Sequence, residues 1–186
     1  MIKKIFSILI FFLLINHANA KENIMIMKLK DGEVVIELFK DIAPKHVERF
    51  ILLAKEKQYD GVGFHRVIDK FMAQTGDVEF GNSNSESYDP NRAGTGGSKY
   101  PNLQAEFSDV PHERGTLSME RSGHPDSANS QFFICFEAAP HLDRSYTVFG
   151  KVIKGMEFID LIQKGEGSNG EVKKPDKIIS LSAASQ

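Results

Sequence analysis

Apolar and polar residues alternate along most of the chain in short runs that are typical of β-strands. Two such runs, at residues 24–29 and 33–38, flank Asp31-Gly32, and an Asp-Gly pair in this position predicts a tight hairpin. Later runs of similar length predict six more strands, at residues 63–68, 71–76, 115–119, 131–136, 146–153 and 176–183. The pattern therefore predicts a protein that is built mainly from β-strands.

Two segments have helical spacing instead. Pro44 can open a helix, because its missing N–H is not needed in the first turn, and Val47, Phe50, Ile51 and Ala54 then share one face, up to about residue 57. A second, shorter helix is predicted at about residues 156–163. Eight short strands and two distant helices predict a closed eight-stranded antiparallel β-barrel capped by two α-helices, since closure leaves no long free edge.

One long segment, residues 77–102, is rich in Gly, Asn and Ser and contains GTGGS at 94–98. Irregular segments of this length are usually functional or disordered. The glycines do not form a phosphate-binding loop, because no G-K-[ST] follows, and they lack the third glycine of a dinucleotide fingerprint. They indicate backbone that turns tightly or lies close to a ligand.

The start of the chain, residues 1–20, is expected to be a signal peptide. A basic start and an apolar run over residues 5–15 precede NHANA, which ends in the A-x-A pattern of a cleavage site. A membrane anchor is the alternative, but it usually needs about 20 apolar residues. We therefore expect cleavage after Ala20, one domain over residues 21–186, and no stable membrane insertion after cleavage.

Composition narrows the possible functions. The formal net charge is −2 and there is no basic block, so nucleic acid is not an expected partner. Cys135 is the single cysteine, which excludes an internal disulfide even in an oxidising compartment. No histidine beyond residue 20 has HxH or HxxxH spacing, so we expect no metal, and no G-x-S-x-G marks Ser118 as a nucleophile.

Two polar residues, Arg66 and Gln74, interrupt the apolar strands of the segment GFHRVIDKFMAQTGD. Alternate residues of a strand share a face, so in a hairpin Arg66 and Gln74 can lie together with Phe71 and Met72 nearby. A guanidinium in such a place needs a partner or a task. Two interpretations stay open at this point: Arg66 pairs with an acid on the barrel exterior, or it is a fixed cation in an apolar pocket for a ligand.

Five segments resemble the cyclophilins, the peptidyl-prolyl isomerases: YDGVGFHRVIDKFMAQTGD, GTGGS, GTLSM, SQFFICF and LDRSYTVFGKVIKGMEFID. They occur in the family's order and cover nearly all of the chain after residue 20. The resemblance implies an eight-stranded barrel with two helices. It also implies isomerisation of X–Pro bonds in unfolded or flexible polypeptides, by a monomer and without a cofactor.

The resemblance assigns roles to individual residues. Arg66 corresponds to the family's catalytic arginine. The implied substrate-binding residues are Phe71, Met72, Gln74, Glu120, Arg121, Gln131, Phe133, His141, Leu142 and Tyr146.

Three positions depart from the family pattern. His141 stands where drug-sensitive members carry a tryptophan, and Tyr146 stands where a histidine is common. Glu120 follows LSM, where many members have alanine, and Arg121 comes next. These departures bear on substrate preference and on cyclosporin binding, which we expect to be weak, more than on catalysis.

The leading hypothesis is an exported proline isomerase that assists the folding of exported proteins. A chaperone-like module that binds proline peptides, with incidental turnover, is the alternative. Arg66 favours the enzyme, because binding alone does not need a donor for the transition state. The signal peptide favours the bacterial periplasm, with secretion left open.

Overall fold

The computed structural model describes residues 23–184, so the predicted signal peptide at 1–20 lies outside the described residues. The strands are β1 (Ile24–Lys28), β2 (Glu33–Leu38), β3 (Arg66–Ile68), β4 (Met72–Thr75), β5 (Thr116–Met119), β6 (Phe132–Cys135), β7 (Val148–Lys154) and β8 (Ser180–Ala183). The helices are α1 (Pro44–Lys55) and α2 (Met156–Asp160), with short 3₁₀ turns at Pro125–Ser127 and Pro140–Leu142. All ten predicted elements are present, with their ends shifted by a few residues.

The eight strands form one antiparallel sheet in the order β3-β4-β6-β5-β7-β2-β1-β8. The prediction of a closed barrel is wrong in one detail, because β3 and β8 do not pair with each other. A loop pairs with the edge of β3 that no strand covers, since the Val67 N–H donates to the carbonyl of Gly170 at 2.7 Å. The segments that precede β3 and β8 also contact each other, since the N–H of Phe64 donates to the carbonyl of Asp176 at 2.9 Å.

The inside of the curled sheet is filled by aromatic side chains, which we call the interior core. Phe50 of α1 lies 5.1 to 5.3 Å from the rings of Tyr59, Phe132 and Phe149, measured between centroids. All four rings are fully buried. Because α1 contributes Phe50 and packs against β7 and β8, burial of its apolar face holds the helix on the sheet.

The first turn of α1 is capped from a distant part of the chain. Ala43 at the N-cap has no side chain that could accept a hydrogen bond. The Glu106 carboxylate takes this role, accepting from the backbone N–H groups of Lys45 and His46 and lying 2.7 Å from Nδ1 of His46. A negative group at this end of a helix also interacts favourably with the helix dipole.

A second, smaller apolar group lies on the opposite face of the sheet from the interior core. Its buried members are Met72, Phe133, Cys135, Ala139 and Leu142, with Phe71, Ile68 and Tyr146 partly buried against them. We call this group the outer cluster. Consecutive residues of β6 alternate between the two groups, as the pleat of a strand requires.

Within residues 23–184, no helix has both the length and the apolar character needed to cross a membrane.

Candidate functional site

The hairpin of β3 and β4 places Arg66 directly opposite Gln74 and Ile68 opposite Met72. The two strands are joined by a tight turn in which Lys70 has a φ of 60°. The predicted sharing of a face by Arg66 and Gln74 is therefore confirmed. Neither side chain belongs to the interior core, and Arg66 lies beside members of the outer cluster.

Arg66 is held by neutral groups. Its Nη1 donates to Oε1 of Gln74 at 3.0 Å, and its Nε donates to the carbonyl of Asn169 at 3.0 Å. No described carboxylate lies within 4.0 Å of the guanidinium, so the interpretation as an exterior ion pair is wrong. The Nη2 group makes no hydrogen bond to a described residue, which leaves donors for another molecule.

A relay of amides fixes Gln74 in turn. Its Nε2 donates to Oε1 of Gln131 at 3.1 Å, and Nε2 of Gln131 donates to the carbonyls of Gly94 and Gly96 at 3.0 and 2.8 Å. The N–H groups of the same two glycines donate to Oδ2 of Asp77 at 2.7 and 2.9 Å. The glycine-rich loop therefore serves to orient the amide relay that ends at Arg66.

Next to Arg66, the outer cluster leaves an open cavity of about 280 Å³. All of its lining residues are among those implied by the resemblance. They are Arg66, Phe71, Met72, Glu120, Phe133, Leu142 and Tyr146.

A second cavity, of about 560 Å³, lies along the glycine-rich loop and shares Glu120 with the first. Gln74, Arg121 and Gln131 also line it. Arg121 is fixed by two donations to the carbonyl of Ser145, at 3.1 and 2.9 Å, and its guanidinium carbon lies 4.4 Å from the centroid of the Tyr146 ring.

Glu120 is half-buried between the two cavities. Burial raises the pKa of its carboxyl group, while the backbone N–H of Arg121 and the charges of Arg66 and Arg121 act in the opposite direction. No cation lies within 4.0 Å of its carboxylate among the described residues, so a simple surface pair with Arg121 is not formed. The carboxylate can therefore interact with a bound molecule.

His141 has a peripheral position. Its side chain is exposed, it lines neither cavity, and its ring centroid lies 5.4 Å from that of Phe71. Cys135 lies beneath the cavity, fully buried, and burial raises the pKa of its thiol to about 12. It therefore packs as a small apolar side chain.

Two contributors to the site were missed by sequence reasoning. Asp77 is fully buried and also accepts from the N–H groups of Glu79 and Phe80, a local turn pattern that its place before a loop could have indicated. Asn169 contributes only a backbone carbonyl, 103 residues from Arg66 along the chain, and no sequence signal marks such a group. Residues 23–184 contain no group of three or more His, Cys, Asp or Glu side chains placed to hold a metal ion.

The sequence as a whole matches a known family. The model of the family described as "Cyclophilin type peptidyl-prolyl cis-trans isomerase/CLD" matches residues 24–183. A probable peptidyl-prolyl cis-trans isomerase from Brucella suis is 58% identical over 159 residues, which cover 85% of this chain and 81% of that protein. A peptidyl-prolyl cis-trans isomerase from Helicobacter pylori is 39% identical over 151 residues, which cover 79% and 84%.

The fold agrees with this relationship. A cyclophilin-type isomerase from Cryptosporidium parvum, crystallised in the presence of the dipeptide Ala-Pro, superposes with a TM-score of 0.74. It is 25% identical, and the match covers 88% of this chain and 99% of that one. Together with the match over residues 24–183, this shows that the chain belongs to the cyclophilin family and is a peptidyl-prolyl cis-trans isomerase.

Proposed function

We propose that the enzyme binds the proline ring of a flexible polypeptide in the 280 Å³ cavity and that Arg66 stabilises the twisted X–Pro bond. The observation that carries this proposal is the guanidinium of Arg66, held on two sides by Gln74 and Asn169, with its Nη2 unpaired among the described residues at the edge of an apolar cavity. The Ala-Pro dipeptide present with the Cryptosporidium relative supports a proline-containing ligand.

The reaction needs only rotation. Amide resonance imposes a barrier of about 18–20 kcal/mol on an X–Pro bond, and uncatalysed exchange takes tens to hundreds of seconds. As the bond twists, resonance is lost and the proline nitrogen gains a lone pair that can accept a hydrogen bond. No covalent intermediate and no proton transfer are required, so the site needs no nucleophile or cofactor.

Arg66 can act selectively on the transition state. A planar amide nitrogen is a poor acceptor, whereas the twisted nitrogen accepts readily, so a donor fixed beside it binds the twisted state more strongly. Arginine suits this task because it keeps its charge and holds its donors in a rigid plane. The bonds to Gln74 and Asn169 set the direction of that plane before the substrate arrives.

The apolar walls contribute in two ways. Phe133, Leu142 and Met72 offer contact area that matches a proline ring. They also exclude water from one side of Arg66, and a lower local dielectric strengthens the hydrogen bond to the nitrogen. The longer cavity along the glycine-rich loop can accept the residues next to the proline.

The test is a proline-isomerisation assay on the mature chain with Arg66→Ala, Arg66→Lys and Arg114→Ala. We expect Arg66→Ala to lower kcat/KM by about 10²- to 10³-fold, the usual effect of removing one preorganised donor. Arg66→Lys should recover little, because an ammonium lacks the planar donor geometry. Arg114, which pairs with Asp160 and lines neither cavity, is the matched control and should leave the rate unchanged.

The same variants separate a role of Arg66 in the transition state from a role in substrate binding. Peptide binding, measured by chemical-shift titration, should weaken much less than the rate falls in Arg66→Ala, because the lost bond belongs mainly to the twisted state. Full turnover in Arg66→Ala would overturn the assigned role. Equal losses of binding and of rate would instead show that Arg66 binds the ground state and the twisted state equally well.

We further propose that the enzyme acts outside the cytoplasm, in the periplasm, as a monomer that assists the folding of exported proteins. The support is the basic start, the apolar run and the A-x-A pattern within residues 1–20. N-terminal sequencing of protein from the cell envelope should begin at Lys21. Protein that remains in the cytoplasm and begins at Met1 would contradict this proposal.

A further inference from the structure

A chain of hydrogen bonds lies behind the aromatic wall of the cavity, with His112 and Ser118 buried and Asp143 partly exposed. Nδ1 of His112 is 2.9 Å from Oδ1 of Asp143, and Nε2 of His112 is 3.0 Å from Oγ of Ser118. The order Asp-His-Ser is that of a hydrolase triad. Ser118 is fully buried and pairs with Phe133 in the β5–β6 ladder, so its hydroxyl is out of reach of a substrate carbonyl. The three groups need a different explanation.

The groups that surround His112 determine which of its ring nitrogens carries the proton. Asp143 accepts from both the backbone N–H and Nδ1 of His112, and these bonds lower the pKa of its carboxyl group. Burial lowers the pKa of His112, so the ring is neutral near pH 7, with its proton on Nδ1. Nε2 is then an acceptor, and the single proton of the Ser118 hydroxyl is shared between Nε2 of His112 at 3.0 Å and the carbonyl of Thr147 at 3.1 Å.

This series of hydrogen bonds supports two walls of the 280 Å³ cavity. The His112 ring stacks on Phe133, with centroids 6.1 Å apart and planes inclined by 16°. The carbonyl of His112 accepts from the N–H of Ala139 at 2.8 Å, and Asp143 ends the 3₁₀ turn that carries Leu142. His112 therefore contacts Phe133 with its ring. Through its hydrogen bonds it also holds the 3₁₀ turn that carries Leu142.

We propose that His112 and Asp143 are a positioning pair for the isomerase, which holds Phe133 and Leu142 at the spacing that the proline ring requires. The pair does not touch the substrate, because His112 is 1% exposed and neither residue lines the 280 Å³ cavity. This inference rests on the proposed function, in which that cavity binds proline. Loss of the pair should let the two walls move apart and weaken the alignment of the proline nitrogen with Arg66.

The chain contains a matched control for this pair. His46 and Glu106 form another pair of a buried histidine and a partly buried carboxylate, at 2.7 Å, in which the carboxylate also accepts from the backbone N–H of its histidine. That pair caps α1, and neither residue lines either cavity at the site. Removing either carboxylate deletes the same kinds of bonds, but only one of them supports the cavity.

The experiment compares Asp143→Ala with Glu106→Ala at 10 °C, with the folded fraction of each measured by circular dichroism. We expect kcat/KM of Asp143→Ala to fall about 10-fold, in the range caused by misplacement of less than 1 Å, and KM to rise. Asp143→Asn keeps an oxygen that can accept both bonds and should recover most of the activity. Glu106→Ala should lower the folded fraction without a change in KM, because partial unfolding removes active molecules and leaves the remaining sites intact.

Two results would overturn the proposal: wild-type KM and kcat/KM in folded Asp143→Ala, or an equal rise of KM in Glu106→Ala. If Asp143→Ala does not fold, ¹⁵N NMR of the wild-type histidines decides, since an Nε2–H tautomer of His112 at pH 7 contradicts the assigned bonds. The proposed function is tested separately. Normal turnover in Arg66→Ala defeats it, whereas loss there with no effect in Asp143→Ala defeats only the positioning pair.

Discussion

The interior core and the outer cluster use neighbouring residues of the same strand for different purposes. Phe132 points into the interior core, where its ring lies 5.2 and 5.6 Å from those of Phe50 and Tyr59. Phe133 points outward, between Tyr146 at 5.8 Å and His112 at 6.1 Å. The Phe132 ring therefore has aromatic neighbours within the core. The Phe133 ring has the polar groups of His112 on one side and the cavity on the other.

The difference shows how one sheet serves both stability and function. The interior core is closed by α1, and three aromatic rings lie around Phe50. The outer cluster is smaller and incomplete, and its open side borders Arg66 and Glu120. A ligand that supplies the missing apolar contacts is then held next to a fixed cation. We expect substitutions in the two groups to affect different measured quantities.

The largest predicted effect is on stability. Phe132→Ala removes a fully buried ring and should lower the free energy of unfolding by about 3–5 kcal/mol. Phe133→Ala should cost less stability, because its site borders an open cavity, but should lower kcat/KM strongly. Urea unfolding and the isomerisation assay measure the two quantities. If Phe133→Ala loses as much stability as Phe132→Ala and keeps wild-type activity, the two groups do not differ in the way we propose.

The second prediction concerns pH. His65 is 8% exposed, and burial lowers its pKa from 6.5 to about 4. The unfolded state therefore takes up a proton first as the pH falls. The contribution of His65 to the free energy of unfolding is therefore fully present above pH 6.5. It is lost as the pH falls through about 4, and the loss is about 3 kcal/mol.

The matched variant is His65→Phe, which keeps a buried ring and removes the titration. Urea unfolding at several pH values should show a shallower acid loss in this variant than in the wild type. Burial also lowers the pKa of His46 and His112, so some acid dependence should remain. Identical pH profiles for wild type and variant would show that His65 is not responsible.

The third prediction concerns the rim of the outer cluster. Cyclosporin should bind weakly, and His141→Trp should bind it more tightly by about 5- to 150-fold, equivalent to about 1–3 kcal/mol. An indole adds apolar area beside Phe71 and a donor that imidazole places differently. Inhibition constants for the two proteins provide the measurement. Inhibition of the wild type as tight as that of tryptophan-bearing members would show that His141 is not the corresponding pocket residue.

The smallest predicted effect concerns Glu120. Its carboxylate should favour peptides with Lys near the proline over those with Glu, by about 0.2–1 kcal/mol, and the preference should shrink as salt rises. Since the pKa of Glu120 is raised, the preference should fade as the pH falls through that pKa and the carboxyl group becomes neutral. The isomerisation rates of Lys, Ala and Glu peptides are the measurement.

The comparison uses Glu120→Ala beside Glu157→Ala, an exposed glutamate of α2 outside both cavities. Glu120→Ala should reduce the differences between the peptides at low salt, and Glu157→Ala should preserve them. An unchanged ranking of the peptides in Glu120→Ala would mean that this carboxylate has no role in selection.

Much of the site was predictable from the sequence, because its main determinants act over a few residues. The two-residue period of a strand and a short turn are enough to place Arg66 beside Gln74. The same period separates Phe132 from Phe133, and Pro44 marks the start of α1. Resemblance to the family then added the identities of residues that line the cavity.

Other features depended on the tertiary structure, because they join groups that are distant in sequence. The carbonyl of Asn169 that holds Arg66 carries no side-chain identity, so nothing in the sequence marks it as an acceptor. Glu106 caps a helix that begins some 60 residues earlier. His112 meets Asp143 only because the ladder of β5 and β6 brings their loops together. Local periodicity cannot encode such contacts, since each exists only after the sheet has curled and its loops have packed against it.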